Sequence, residues 1–304
     1  MRVVIALGGN ALQRRNEPVD TPHRAHNLRA AAKAVADVAR SHQVVVTHGN
    51  GPQVGMLALA RTGSAAMDEL VAQSEGMIGY LIERELAREL PDREIATILT
   101  QVEVASDDPA FHDATKPIGP TYSEMEAWKF ISDRSWRMVR DGAGFRRAVP
   151  SPEPRRIREL TAIKILIEAG AIVICCGGGG IPVVPHRDGS LRGVEAVVDK
   201  DLSAALLAEE VKADHLLLLT DVAAVSAEWG NPSSRRIACV RPEEMRRFHF
   251  APGTMGPKVE AACRFVERTN ATAAIGAMGD VVAILAGSAG TTIRQGGEPI
   301  RYHG

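Results

Sequence analysis

The chain has 304 residues, 45% of them apolar and 24% charged, and a formal net charge of -1. That length allows two domains or one large one, and the composition excludes disorder as the main state. The charge balance, with a pI near 6.8, excludes a dedicated nucleic-acid binder, which carries a basic excess.

In chain order the pattern alternates strand and helix. Residues 2–7 read as a buried strand that ends at Gly8 and Gly9. Thr21 and Pro22 mark a helix start, with Thr as cap and Pro in the first turn, running to about residue 41. Residues 43–47 form a second buried strand, followed by Gly49, Asn50 and Gly51. Residues 67–90 read as helix, 94–104 as strand, 157–169 as an amphipathic helix and 171–176 as a strand entering Gly177. A helix is expected over 199–211, a strand over 215–219 and a helix over 258–269, then strands over 273–275 and 281–285. Asn231 to Ser234 reads as a turn. Repeated βα units imply a mostly parallel sheet covered by helices. Residues 105–155 break the rhythm with Pro, Asp, Gly, Trp128 and Trp136, and are expected to form an inserted lid or small subdomain.

The cysteines, Cys175, Cys176, Cys239 and Cys263, offer neither a disulfide framework nor a CxxC motif, so a reducing, cytoplasmic setting is expected. The apolar run at residues 3–7 is too short for a secretory signal, and no run is long enough to span a membrane. No GxSxG, zinc spacing, GxxxxGK[ST] or GxGxxG is present.

Three glycine turns each follow a buried strand: Gly8–Gly9–Asn10, Gly49–Asn50–Gly51, and the run from Gly177 and Gly178 to Gly180. Ligands of open α/β sheets bind at the carboxyl ends of strands, and glycines there let backbone N–H groups close on an anion. Of the 36 basic residues 29 are arginine and only 7 lysine. Lys200 and Lys258 nevertheless sit at expected helix starts, where a cation opposes the macrodipole. A phosphate would reconcile lysine and dipole, and Asp201 is placed to hold Lys200 charged. Lys116 lies inside the insertion, and His48 beside the second glycine turn is a possible substrate contact. Together these residues point to phosphoryl transfer, which needs positioning and cations more than covalent chemistry.

The motifs resemble those of carbamate kinases, in the amino acid kinase superfamily. The resemblance runs along nearly the whole chain: ALGGNAL at 6–12, THGNGPQVG at 47–55, QSEGMIGY at 73–80 and TKPIGP at 115–120. It continues with VPSP at 149–152, GGGGIPV at 177–183, VDKD at 198–201, LTDV at 219–222 and FAPGTMGPKVEA at 250–261. It implies a three-layer αβα sandwich of the amino acid kinase-like fold with a small inserted subdomain. One domain over 1–304 would hold an acceptor lobe (1–212) and a nucleotide lobe (213–304). The implied reaction is reversible transfer between carbamoyl phosphate plus ADP and carbamate plus ATP, with Mg²⁺ held by phosphates and water and no protein metal ligands. The resemblance places Gly8, Gly9, Asn10, Gly49, Asn50 and Gly51 at the acceptor and phosphoryl group, and Lys116 reaching in from the insertion. Lys200 and Lys258 would neutralise that group, with Asp201 orienting them. Asp221, Met255 and Gly256 would lie near the nucleotide together with both lysines. A homodimer and a role late in arginine, agmatine or purine-derived catabolism are implied too.

The chain departs from the family where Ala223 to Ser226 replace an acidic and an aromatic residue, and where Ala114 and Glu75 stand for the usual Pro and Gln. Two alternatives stay open, the second of them motivated by the first departure. One is a kinase for another small carboxylate or phosphonate acceptor. The other is a regulatory protein that binds nucleotide or carbamoyl phosphate with little turnover.

Overall fold

The structure, a computed structural model, describes residues 1–9, 21–60, 66–227, 234–250 and 255–304. Asn10 and most of the expected turn at 231–234 therefore lie outside the described residues.

The strands are β1 (Arg2–Leu7), β2 (Gln43–His48), β3 (Ile95–Thr97), β4 (Gln101–Glu103), β5 (Lys116–Tyr122), β6 (Met138–Asp141), β7 (Gly144–Val149) and β8 (Arg156–Ile157). They continue with β9 (Ile172–Ile174), β10 (Ile181–Pro185), β11 (Leu191–Gly193), β12 (His215–Thr220), β13 (Ile237–Val240), β14 (Thr272–Ala277), β15 (Thr291–Ile293) and β16 (Ile300–Tyr302). The central sheet has the order β16-β13-β15-β14-β12-β1-β2-β9-β3. Its middle pairings, β14·β12, β12·β1, β1·β2, β2·β9 and β9·β3, are all parallel, and β14·β15 and β13·β16 are antiparallel.

Period-two alternation sends the residues of β1 to opposite faces. Val4 and Ala6 join one buried cluster with residues of the helices Leu160–Glu168, Lys200–Glu210 and Met255–Thr269. Val3, Ile5 and Leu7 join the other, with the helices Thr21–Ala39 and Met67–Glu89. Helices on both faces of one sheet make the three αβα layers, so both faces of the central strands are dry and their sequences run continuously apolar.

Two expectations fail. The strand expected over 94–104 is broken: β3 lies in the central sheet and β4 in a second sheet, ordered β11-β10-β4-β8. Between them the Thr100 hydroxyl donates to Ile98 O and accepts from Cys176 N, side-chain bonds that replace ladder bonds at the crossing. Residues 281–285 are not a strand but the helix Val281–Leu285. Val281 and Ile284 are its buried residues, and that spacing serves a helix; a five-residue apolar run does not by itself separate the two states.

The irregular stretch folds as a third sheet, β5-β7-β6, with the helix Glu124–Arg134. Trp136 stacks on Phe130 with ring centroids 4.9 Å apart, and Arg147 lies 4.4 Å over the Trp136 ring. This small sheet meets the main body where Gly55 of the helix Gly51–Ala60 faces Gly119 of β5. A methyl group on Gly55 would fall 2.0 Å from Gly119 Cα, so the contact requires glycine. Gly55→Ala is expected to displace the small sheet, and Lys116 with it, lowering kcat/KM by about tenfold to a hundredfold with the central fold retained. Wild-type kinetics in this variant would show that Lys116 needs no such support.

Candidate active site

The first glycine turns meet because β1 and β2 are parallel neighbours that end together. Gly8 N donates to Leu219 O across the sheet at 3.1 Å. A Cβ on Gly49 would lie 2.9 Å from Gly9 N, 3.1 Å from Gly9 Cα and 3.3 Å from Lys200 Cδ. Two strand ends and a lysine thus converge where a side chain larger than hydrogen has no room. Asn50 is buried and donates to Ser74 Oγ at 2.8 Å, while Gly51 opens the following helix. Gly178, at φ 69°, is pressed against the Asn50 amide, where a Cβ would stand 2.1 Å from Nδ2. Gly177 lies behind that contact, against His48 and Glu75.

The helix Lys200–Glu210 starts where it does because Asp199 caps it. The Asp199 carboxylate accepts from Asp201 N at 2.9 Å and from Leu202 N at 3.3 Å. That cap puts Lys200 and Asp201 in the first turn, pointing toward the strand ends. Lys200 pairs with one oxygen of Asp201, and Lys258 Nζ donates to the other at 3.0 Å. Asp201 is 5% exposed and each of these lysines 12%, so this is a buried triad of two cations on one anion. Lys116 Nζ reaches from β5 to Asp199 Oδ2 at 2.9 Å and to Val198 O at 3.3 Å.

Burial sets the electrostatics. It lowers the Lys200 pKa to about 8, with the Lys258 charge pushing the same way and Asp201 pulling back. Burial also works against the Lys258 charge, but Asp201 outweighs it and Lys258 is held above its ordinary value. At Asp199 burial opposes ionisation, yet the Lys116 and Lys200 charges overcome it and hold the carboxyl well below the usual range. The site therefore keeps more positive charge than its carboxylates neutralise, in a place with little water. An anion fits that excess.

The structure thus brings together Gly9, Gly49, Lys116, Lys200, Asp201 and Lys258, with Asn50 and Gly178 adjoining. Met255 and Gly256 open the helix that carries Lys258, and Asp221 lies exposed just past β12. His48 is not exposed to a substrate: it is fully buried, and burial lowers its pKa to about 4. The sequence places residue 199 at a helix start, and nothing in that placement marks Asp199 as the partner of Lys116. Sequence reading also missed the polar props of the third turn, Ser203 Oγ to Gly179 O at 2.7 Å and Thr47 Oγ1 to Cys176 O at 2.8 Å. Their one signal was a hydroxyl among apolar neighbours.

The model of the amino acid kinase family matches residues 1–276. The carbamate kinase of Rhizobium meliloti is 49% identical over all of this chain and 96% of its own length. The Haemophilus influenzae carbamate kinase is 46% identical with both chains fully covered. Among solved structures, the carbamate kinase of Giardia lamblia bound to AMP-PNP superposes with a TM-score of 0.87 at 35% identity, over 96% of this chain and 98% of that one. The chain belongs to the amino acid kinase family and, within it, to the phosphotransferases of the carbamate kinase group.

Proposed function

We propose that the protein transfers a phosphoryl group reversibly between carbamoyl phosphate plus ADP and carbamate plus ATP, directly and in line, without a phosphoenzyme. The observation that carries this is the Lys200–Asp201–Lys258 triad set against the Gly9 and Gly49 turns. Phosphoryl transfer spreads charge over three equatorial oxygens, and two fixed ammonium groups meet that charge without moving. Asp201 orients both, and Asp199 holds Lys116 at the edge of the same space. Gly8, Gly9, Asn10, Gly49, Asn50 and Gly51 would close on the acceptor side. Asp221, Met255 and Gly256 would border the nucleotide, on the side where the lysine-bearing helix begins.

Among the described residues no group of three His, Cys, Asp or Glu side chains is placed to hold a metal ion. Asp199 and Asp201 are already engaged by lysines. Phosphate oxygens and water would therefore hold Mg²⁺, which when bound adds further neutralisation of phosphate charge. The cytoplasmic setting and the homodimer belong to the same proposal, and sedimentation of the purified protein tests the second.

The deciding experiment is ATP formation from carbamoyl phosphate and ADP with Mg²⁺, using Lys200→Ala as the blank. A lysine-dependent rate is expected. A larger rate with another carboxylate or phosphonate acceptor, or tight ADP binding without ATP formation, would overturn the reading.

A further inference from the structure

One buried ionisable group near the site has no part in the transfer itself. Glu75 lies on the inward face of the helix Met67–Glu89, among Val71, Ser74, Ile78 and Ile82, and is 1% exposed. Its carboxyl spans two pieces of chain. Oε1 accepts from Gly177 N at 2.8 Å and Oε2 from Thr100 N at 3.3 Å. Thr100 in turn accepts from Cys176 N at 3.0 Å. Both residues that open the third glycine turn are therefore hung, directly or through Thr100, on this one side chain. The turn cannot move away from it freely, because Gly177 is packed on Glu75 Cγ and His48, and Gly178 on Asn50.

We propose that Glu75 is a positioning residue whose proton sets the charge behind the Gly177–Gly178 turn, so that binding of the anionic substrate weakens when Glu75 ionises. As an acid, Glu75 anchors the turn without adding charge. As a carboxylate it keeps the same two acceptor bonds but places a negative charge, poorly screened, behind a site built for phosphate. This inference rests on the phosphoryl-transfer reading for its substrate, and on hydrogen bonds and burial for its geometry.

Burial lowers the pKa of His48 and helps raise that of Cys176, so these two neighbours of Glu75 stay neutral where Glu75 changes charge. Burial lifts its pKa to about 8 against the pull of the Gly177 and Thr100 amides, with Glu159 adding to the rise. From β2, His48 is kept neutral by burial, with a pKa of about 4. From the end of β9, Cys176 is held well above its ordinary value by a side-chain hydrogen bond with Cys175 and by burial, so it stays a thiol. Glu159 faces from the start of the neighbouring helix, its carboxylate accepting from Gln101 N at 2.7 Å and from Gln101 Nε2 at 3.0 Å.

Two measurements test this. The first compares KM for carbamoyl phosphate in the wild type and in Glu75→Gln, which carries no charge and can keep one of the two acceptor bonds, to Gly177 N or to Thr100 N. The wild-type to variant ratio is expected to rise about fivefold between about pH 6.5 and about pH 9.5. Lys200 titrates in both proteins, so it cancels in the ratio. A ratio independent of pH would overturn the proposal. The second uses no activity: the Gly177 amide resonance of the wild-type protein is expected to titrate with a midpoint near Glu75's value, and to be flat in Glu75→Gln. A flat wild-type resonance would overturn the proposal even if the enzyme forms ATP. A titrating resonance in a protein that forms no ATP would leave the positioning role standing and remove the substrate reading instead.

Discussion

Lys200→Ala and Lys258→Ala are each expected to lower turnover at least about a hundredfold while the protein stays folded. The fold survives because Asp201 keeps one ammonium partner in either variant. The rate does not, because a cation already aimed at the developing charge costs no reorganisation during the reaction, and water admitted in its place does. The same lysine is expected to set a pH limb. Lys200 is charged below about 8 and neutral above it, so kcat/KM for the free enzyme falls as pH rises through that value. Measured in a Glu75→Gln background, where the other group near this pH is silent, the limb is expected to persist with Lys200 present and to vanish in Lys200→Ala. Near-normal turnover in either alanine variant would take that lysine out of the mechanism.

Asp201→Asn is expected to destabilise the fold by about 3–5 kcal/mol near neutral pH, because it leaves two buried ammonium groups facing each other without their anion. The sign with pH follows from burial. Lys200 is held below its unfolded value, so the folded state sheds this penalty as pH rises and Lys200 gives up its proton. Denaturant unfolding of wild type and variant at neutral and at alkaline pH reads both effects. A cost that is small, or that grows with pH, would mean the two lysines do not depend on Asp201. The contrast with the lysine variants is the point: removing one of two cations leaves the charge balanced, and removing the shared anion does not.

Much of this site was legible before the structure. Gly8, Gly9, Gly49, Asn50, Gly177 and Gly178 follow apolar runs of strand length, and glycine after a buried strand marks a close backbone approach. Lys200 and Lys258 stood out because a cation in a helix's first turn breaks a local electrostatic rule. What stayed hidden was long-range. Nothing at Lys116 names Asp199, 83 positions along the chain, as its partner. Nothing at Glu75 names Gly177, 102 positions away. The break between β3 and β4 and the helix at Val281–Leu285 were hidden for a different reason. A short apolar run is compatible with either state, and its neighbours decide.

The sequence by itself determined the alternation of strands and helices, the parallel sheet and the glycine turns and helix-start lysines of the candidate site, because periodicity, caps and glycine turns act over a few residues. Only the tertiary structure decided which of those residues share one charge. It put Lys200 and Lys258 on Asp201, Lys116 on Asp199 and Glu75 beneath the third glycine turn. The physical reason is burial. Out of water each ionised or polar group must find a partner, and which partner lies within reach depends on where the strands end, not on where the residues stand in the chain.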